Sequence, residues 1–220
     1  MKKEGAYAVI FDMDGVIVDS EPVYRLWNQE LYRQLKISVP EEIKLKLIGG
    51  SIKRKWQLIK EHCGLSQTIE ELIQYQYEFF QGKECCFKDI LFPAVRPLIE
   101  SLKSNGIRIA LASSSDRERI NRVVTDCGLA HLFDVVVSGE EFADSKPDPE
   151  IFLQTAKRLG HAPTQCIVIE DSTNGLLAAT RAGMKKVGVK HPSIPMDLSL
   201  ADVTIDSLEQ LSPTILGEMV

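Results

Sequence analysis

Short runs of continuous apolar residues alternate along this chain with stretches whose apolar residues return every three or four positions. The run from Ala6 to Phe11, "AYAVIF", is short and apolar, as a strand buried on both faces reads. From about residue 90 the alternation becomes regular. "PAVRPLIESLKSNG" predicts a helix that leads to the strand "IRIALAS", and "SDRERINRVVTDCG" a helix that leads to "DVVVSG". "DPEIFLQTAKRLG" leads in the same way to "CIVIED", and "NGLLAATRAG" to "KVGVK". Gly106, Gly128, Gly160 and Gly183 each stand where a helix closes on a left-handed residue. Strand and helix in strict turn predict an α/β fold: a doubly wound parallel sheet, Rossmann-like, with helices on both faces.

Residues 20–87 break that rhythm and contain no convincing strand. "SEPVYRLWNQELYRQLK" has Pro22 near a helix start and apolar residues at Val23, Leu26, Trp27, Leu31 and Leu35. "SIKRKWQLIKEHCG" reads as a second helix, and "TIEELIQYQYEFFQG" as a third that opens with a capping box of Thr68 and Glu71. The pattern predicts a core made of residues 1–19 and 88–220, with an all-helical domain, 20–87, inserted after the first strand. Trp27 and Trp56 are expected in the core of that insert. Two short linkers, near Ser20 and near Phe87 to Ile90, would let it move over the core as a cap.

Composition narrows the function classes. The 220 residues are 44% hydrophobic and 26% charged, ordinary for a soluble globular enzyme. A net charge of -5 argues against general nucleic-acid binding, yet a local site can still be positive. No window offers the roughly 18 apolar residues of a membrane span. The start, "MKKEGAYAVIF", runs straight into aspartates and does not read as a signal peptide. The five cysteines match no zinc spacing and read as free thiols in a reducing cytoplasm. The chain is expected to be a cytoplasmic monomer that binds neither nucleic acid nor membrane.

The chemistry collects at strand ends. Asp12, Asp14 and Asp19 fall within eight residues beside the first strand. The second strand ends in Ser113, Ser114 and Ser115, and the third runs through Ser138 to "SKPDP", with Lys146. The fourth ends in Glu170 and Asp171. In open parallel sheets ligands bind beyond the carboxyl ends of the strands, so these residues would share one crevice. Asp12, Glu170 and Asp171 make a hard anionic oxygen set suited to Mg²⁺. Lys146 and the serine hydroxyls supply donors for an anion. A phosphoryl group satisfies both halves. Enzymes accelerate phosphomonoester hydrolysis by up to about 10²¹-fold, on the order of 28 kcal/mol, so several groups must act together. One carboxylate can attack phosphorus, and a second, two residues on, can move the protons.

"DMDGVIVDS", "LASSS", "SKPDP" and "IEDSTNG" are similar, in order and spacing, to the four motifs of the haloacid dehalogenase superfamily. The resemblance covers nearly the whole chain and places a helical cap between the first two motifs. "DGV" and "EDSTNG" most resemble the branch of β-phosphoglucomutases and small sugar-phosphate phosphatases. It implies Asp12 as nucleophile and Asp14 as acid and base. It also implies Mg²⁺ on the Asp12 side chain, the Asp14 carbonyl and one or both of Glu170 and Asp171. Ser113 and Lys146 would bind the transferring phosphoryl group.

Alternatives remain at each position. The serines also suit a helix N-cap, and Ser115 is the less direct phosphate ligand. Glu170 and Asp171 also suit a helix N-terminus. Asn174 is expected to shape its turn and cap the helix. Lys53, Arg54 and Lys55 read either as a solvated face or as a substrate clamp, with Lys53 and Arg54 the two expected to contact the distal end of the substrate. The four histidines fit no catalytic pattern. A receiver-like signalling module shares the phosphorylated aspartate but lacks the insert and the second carboxyl group. A β-phosphoglucomutase-type mutase is the enzymatic alternative. The resemblance places Tyr24 where mutases carry a histidine, and Ile52 near their cap-loop arginine. The favoured expectation is therefore an Mg²⁺-dependent phosphatase of a small phosphomonoester, a sugar phosphate above all, working through an aspartyl phosphate.

Asp12→Asn, nearly isosteric, is expected to abolish phosphate release while the circular dichroism spectrum stays native. Turnover by a folded variant whose mass confirms the amide would exclude Asp12 as the nucleophile.

Overall fold

A computed structural model describes residues 7–192 and 194–220. The chain begins with β1 (Ala8–Phe11) and then enters four helices: α1 (Glu21–Gln34), α2 (Glu41–Leu47), α3 (Ile52–Cys63) and α4 (Ile69–Phe80). It returns through α5 (Val95–Ser104), β2 (Arg108–Ser113), α6 (Arg117–Asp126) and β3 (Val135–Ser138). It ends with α7 (Glu150–Leu159), β4 (Cys166–Glu170), α8 (Thr173–Arg181), β5 (Lys185–Val189), β6 (Val203–Ile205) and α9 (Pro213–Gly217). Ala6, read as part of the first strand, and the lysines of the chain start lie outside the described residues.

The strands form one parallel sheet in the order β3-β2-β1-β4-β5-β6. Strand alternation sorts the side chains into two layers. Val9, Phe11, Ile109, Leu111, Ile167 and Ile169 face a core shared with α5, α6 and α9. Ala8, Ile10, Ala110, Ala112, Cys166 and Val168 face α7 and α8. The second face is the smaller in volume, and Ala156, Ala178 and Ala179 meet it from the helices, so those helices can lie close to the sheet. The glycines expected to close helices, Gly106, Gly128, Gly160 and Gly183, all have positive φ, between 64° and 74°.

The inserted helices enclose a separate cluster of Leu31, Tyr32, Val39, Leu47, Trp56, Ile59 and Leu72. Trp56 is 1% exposed, donates Nε1–H to Gln76 Oε1 at 2.7 Å and meets Tyr32 edge-on. The Thr68 and Glu71 capping box forms as the sequence predicts. Three features differ from the sequence reading. The insert has a fourth helix, α2, whose seven residues are too short to show a clear period. Trp27 is not in the insert's core; it is partly buried against Tyr24 and Phe80 and lines the cavity below. Phe87, counted with the insert, packs in the core beneath α5 and α6.

The two linkers run side by side. Val18 and Leu91 form an antiparallel bridge, Asp19 N–H donates to the Ile90 carbonyl at 2.7 Å, and Phe92 N–H donates to the Ile17 carbonyl at 3.0 Å. The third aspartate of the opening cluster, Asp19, lies in this neck and bonds His191 Nε2 at 2.9 Å.

Trp56→Ala is expected to destabilise the protein by about 3–5 kcal/mol in urea unfolding, because the insert must keep its own core full. A cost under about 1 kcal/mol would mean that the helices depend on the sheet instead.

Candidate active site

The parallel register sets the site. Phe11 is level with Leu111 on one side and Ile169 on the other, so the next residues, Asp12, Ala112 and Glu170, emerge together. The strand order reverses between β1 and β4, where successive loops part and leave a crevice. Lys146 reaches into this level from the loop before α7. Its Nζ donates to Asp12 Oδ1 at 2.6 Å, to Glu170 Oε1 at 2.7 Å and to the Ala112 carbonyl at 3.2 Å. It also lies 4.8 Å from the centroid of the buried Phe152 ring. Lys146 is 1% exposed. Desolvation opposes its charge, but Asp12 and Glu170 outweigh that and hold the ammonium above the usual lysine range.

Three carboxylates crowd this end of the sheet. Asp12, Glu170 and Asp171 each bring an oxygen within 4.8 Å of the others. Burial, above all, raises the Asp12 carboxyl group to about 7, with Lys146 pulling down and Glu170 and Asp14 pushing up. Burial and the neighbouring acids raise Asp171 well above the carboxylate range. Lys146 takes Asp12 and Glu170; among the described residues no ion pair reaches Asp171. One ammonium against three carboxylates leaves a set of hard oxygen donors short of positive charge, which a divalent cation fits. Glu170 is the most committed of the three, since Oε2 also accepts from the Ser172 N–H and hydroxyl group at 2.9 and 2.8 Å.

Two glycines make this crowding possible. Gly15 has a φ of 80°, and a Cβ there would lie 1.9 Å from Asp171 Oδ2. A Cβ on Gly175 would lie 1.8 Å from Glu170 Oε1.

Asp14 sits in different surroundings. Both its oxygens accept from the Arg119 guanidinium, Oδ2 at 2.9 Å, and the hydroxyl groups of Ser20 and Ser115 donate as well. Burial opposes ionisation, but the Arg119 charge and these hydrogen bonds win and hold Asp14 below the usual carboxylate range. The two aspartates, two residues apart, are therefore pushed in opposite directions.

The serines divide their work. Ser113 is 1% exposed and its Oγ accepts the Ser115 N–H at 3.1 Å. Ser114 lines the cavity but donates its hydroxyl proton to the Gly49 carbonyl of the insert at 2.9 Å. Ser115 binds Asp14. Asn174, expected to cap its own helix, instead donates Nδ2–H to the Ile48 carbonyl at 2.8 Å. Ser172 caps that helix. The α2–α3 loop is thus latched to the core at two points, closing a cavity of about 1090 Å³ between insert and sheet.

Lys53 lines that cavity and is exposed; Arg54, expected to join it, does not line it. Ile52, Lys55 and Ile59 share the facing side of α3, and Lys55 supplies the second cation. Sequence reasoning weighed Lys55 only as part of a charged face and missed Arg119. The available signal was an arginine in the first turn of α6, where the helix dipole disfavours a cation.

A family model described as haloacid dehalogenase-like hydrolase matches residues 7–183. The phosphorylated carbohydrates phosphatase of Thermotoga maritima is 33% identical over 191 residues, 84% of this chain and 85% of that protein. Hexitol phosphatase B of Escherichia coli is 30% identical over 215 residues, 93% of this chain and 94% of that protein. The crystal structure of β-phosphoglucomutase from Clostridium difficile aligns with a TM-score of 0.84 at 29% identity, covering 97% of this chain and 96% of that one.

Without a cation, Asp12 is an acid whose folded pKa lies above its unfolded value of about 4. Its contribution to stability is full below pH 4 and falls as the pH rises toward about 7. A divalent ion must displace the retained protons, so its affinity is expected to rise with pH, up to about tenfold per unit for each proton. A fixed Mg²⁺ concentration is expected to raise Tm more at pH 8 than at pH 6, and Asp171→Asn to remove the increment. An equal shift at both pH values would exclude these carboxyl groups as the ligands.

Proposed function

Because this chain belongs to the haloacid dehalogenase-like hydrolases, we propose that it is a phosphatase that hydrolyses a small sugar phosphate through a phosphoryl group carried on Asp12. It is a phosphoric monoester hydrolase, as its phosphatase-named relatives support. The observation that carries the mechanism is the buried Lys146 held 2.6 Å from Asp12 at the carboxyl end of the central strand. A lysine there fixes the Asp12 carboxylate and stands where phosphoryl oxygens would arrive.

In the first half, an Asp12 oxygen bonds to phosphorus as the ester P–O bond breaks. Asp14, which Arg119 holds ionised in the free site and which must therefore take up a proton as substrate binds, passes that proton to the leaving oxygen. In the second half, water bonds to phosphorus, Asp14 takes its proton, and the Asp12–phosphorus bond breaks to release phosphate. Ser113, whose Oγ accepts from Ser115, keeps its own proton for a phosphoryl oxygen. Lys146 balances charge on that group throughout in a site shielded from water. Asp12, Asp171 and Glu170 would hold Mg²⁺, which when bound supplies further charge neutralisation and orients the ester. The latched α2–α3 loop excludes bulk water, and the cavity lined by Lys53, Lys55, Tyr24 and Trp27 would take the organic part of the substrate.

A mutase of the β-phosphoglucomutase type is the second reading, favoured by the 0.84 TM-score match. It requires the phosphoryl group to pass to a second sugar hydroxyl group instead of water.

A panel of phosphomonoesters that includes hexitol phosphates and β-glucose 1-phosphate separates the two readings. Free phosphate is expected from several members, and Lys146→Ala to lose at least about 10²-fold in kcat/KM, roughly 2.7 kcal/mol. Glucose 6-phosphate formed from β-glucose 1-phosphate without phosphate release would replace the phosphatase reading. A loss below threefold in Lys146→Ala would remove the lysine from the mechanism.

A further inference from the structure

Arg119 joins three parts of the molecule that the reaction must coordinate. It stands in the first turn of α6, where Asp116 receives its backbone N–H at 2.7 Å and fixes that turn. Its two terminal nitrogens bond the two oxygens of Asp14, and one of them also bonds Ser115 Oγ at 2.6 Å. The guanidinium carbon lies 4.4 Å from the centroid of the Tyr24 ring, on the first helix of the insert. Arg119 Nε is buried without a hydrogen-bond partner. Burying a cation in this way, at the helix end that disfavours it, costs free energy that an ordinary surface arginine avoids.

The donors around Asp14 are not equivalent. A carboxylate offers about four acceptor sites, and here two Arg119 bonds, Ser20 and Ser115 fill them. A hydroxyl proton turns to another acceptor by rotation about one bond. The guanidinium fork is planar and pre-organised, and the Tyr24 ring stacks on it. When a leaving oxygen or a water needs a place on Asp14, the serines are the donors that yield and the fork stays.

We propose that Arg119 is a positioning residue that aims the Asp14 carboxyl group, and that the insert supports this aim through Tyr24 only when it is closed over the core. The proposal rests on the two-step reading above. Cap closure would then do more than exclude water: it would complete the proton-transfer geometry.

The two half-reactions give a readout that simple damage to the fold does not produce. p-Nitrophenolate leaves without a proton, so the first half on p-nitrophenyl phosphate does not need a well-aimed Asp14, while the second half always does. Rapid-mixing experiments on the Mg²⁺-loaded protein would follow p-nitrophenol and phosphate separately. Arg119→Met is expected to show a burst of about one equivalent of p-nitrophenol at a rate within threefold of wild type. Steady-state turnover should then be about tenfold to 10²-fold slower, with KM falling alongside kcat so that kcat/KM, which the first half sets, changes little. On a hexitol phosphate, whose leaving oxygen needs the proton, the same variant should be slow from the first turnover.

Arg119→Lys is expected to recover part of the loss. Tyr24→Leu, which leaves every Asp14 hydrogen bond in place, should show the same pattern at about threefold to tenfold, so the test survives a poorly folding Arg119→Met. Equal slowing of both half-reactions, unchanged turnover or faster turnover in Arg119→Met, or no effect of Tyr24→Leu, would overturn the proposal. Failure of the underlying reading looks different: wild type would turn over with no acid-stable phosphoryl group trapped on Asp12 and with Asp12→Asn active.

Discussion

One buried ammonium group allows the active end of this sheet to exist. Asp12 and Glu170 leave neighbouring parallel strands at the same level, and Asp171 follows directly. Carboxylates at that spacing repel one another, and burial removes the water that would screen them. Lys146 spans the first two and takes a strand carbonyl as its third acceptor. The ion triad is therefore well hydrogen-bonded, the condition under which buried charge is tolerated. It is also incomplete, because a single positive charge faces three acids. That deficit of positive charge suits a divalent cation, as the proposed function requires.

The same level of the sheet places two aspartates in different surroundings. Asp12 is tied to the strand ends and raised by burial; Asp14, two residues on, has turned out of that plane toward α6 and the insert. Gly15 makes the turn possible by adopting positive φ where a side chain would strike Asp171. In the free site burial favours the acid form of Asp12 and Arg119 the ionised form of Asp14, so the proposed mechanism requires Asp12 to lose and Asp14 to gain a proton before attack.

The insert has its own core, a paired neck and two contacts that latch it to the sheet domain. The neck hydrogen bonds hold the two linkers as one unit, so motion there moves the whole insert. The latch consists of two side chains, Ser114 and Asn174, on backbone carbonyls of the α2–α3 loop. Few and neutral, these bonds are individually weak, and under the proposed function they would break and re-form as substrate enters and leaves.

What the sequence alone determined follows from local rules. Apolar runs and period-3.6 stretches in strict alternation dictated a parallel sheet, and the helical insert announced itself by breaking the alternation. Charged residues at the ends of apolar strands pointed to one crevice, and the structure does bring Asp12, Asp14, Ser113, Lys146, Glu170 and Asp171 to it. Short elements escaped: α2 has seven residues, β6 three and α9 five, less than the pattern needs to declare itself. Contacts between distant segments escaped for a deeper reason. Arg119 on Asp14 spans 105 residues, Asn174 on Ile48 spans 126, and the choice of Lys55 over Arg54 depends on how α3 is rotated against the sheet. Local spacing sets which residues share a strand end or a helix face. Only packing sets which faces meet, and so which cations and hydroxyl groups surround the two aspartates.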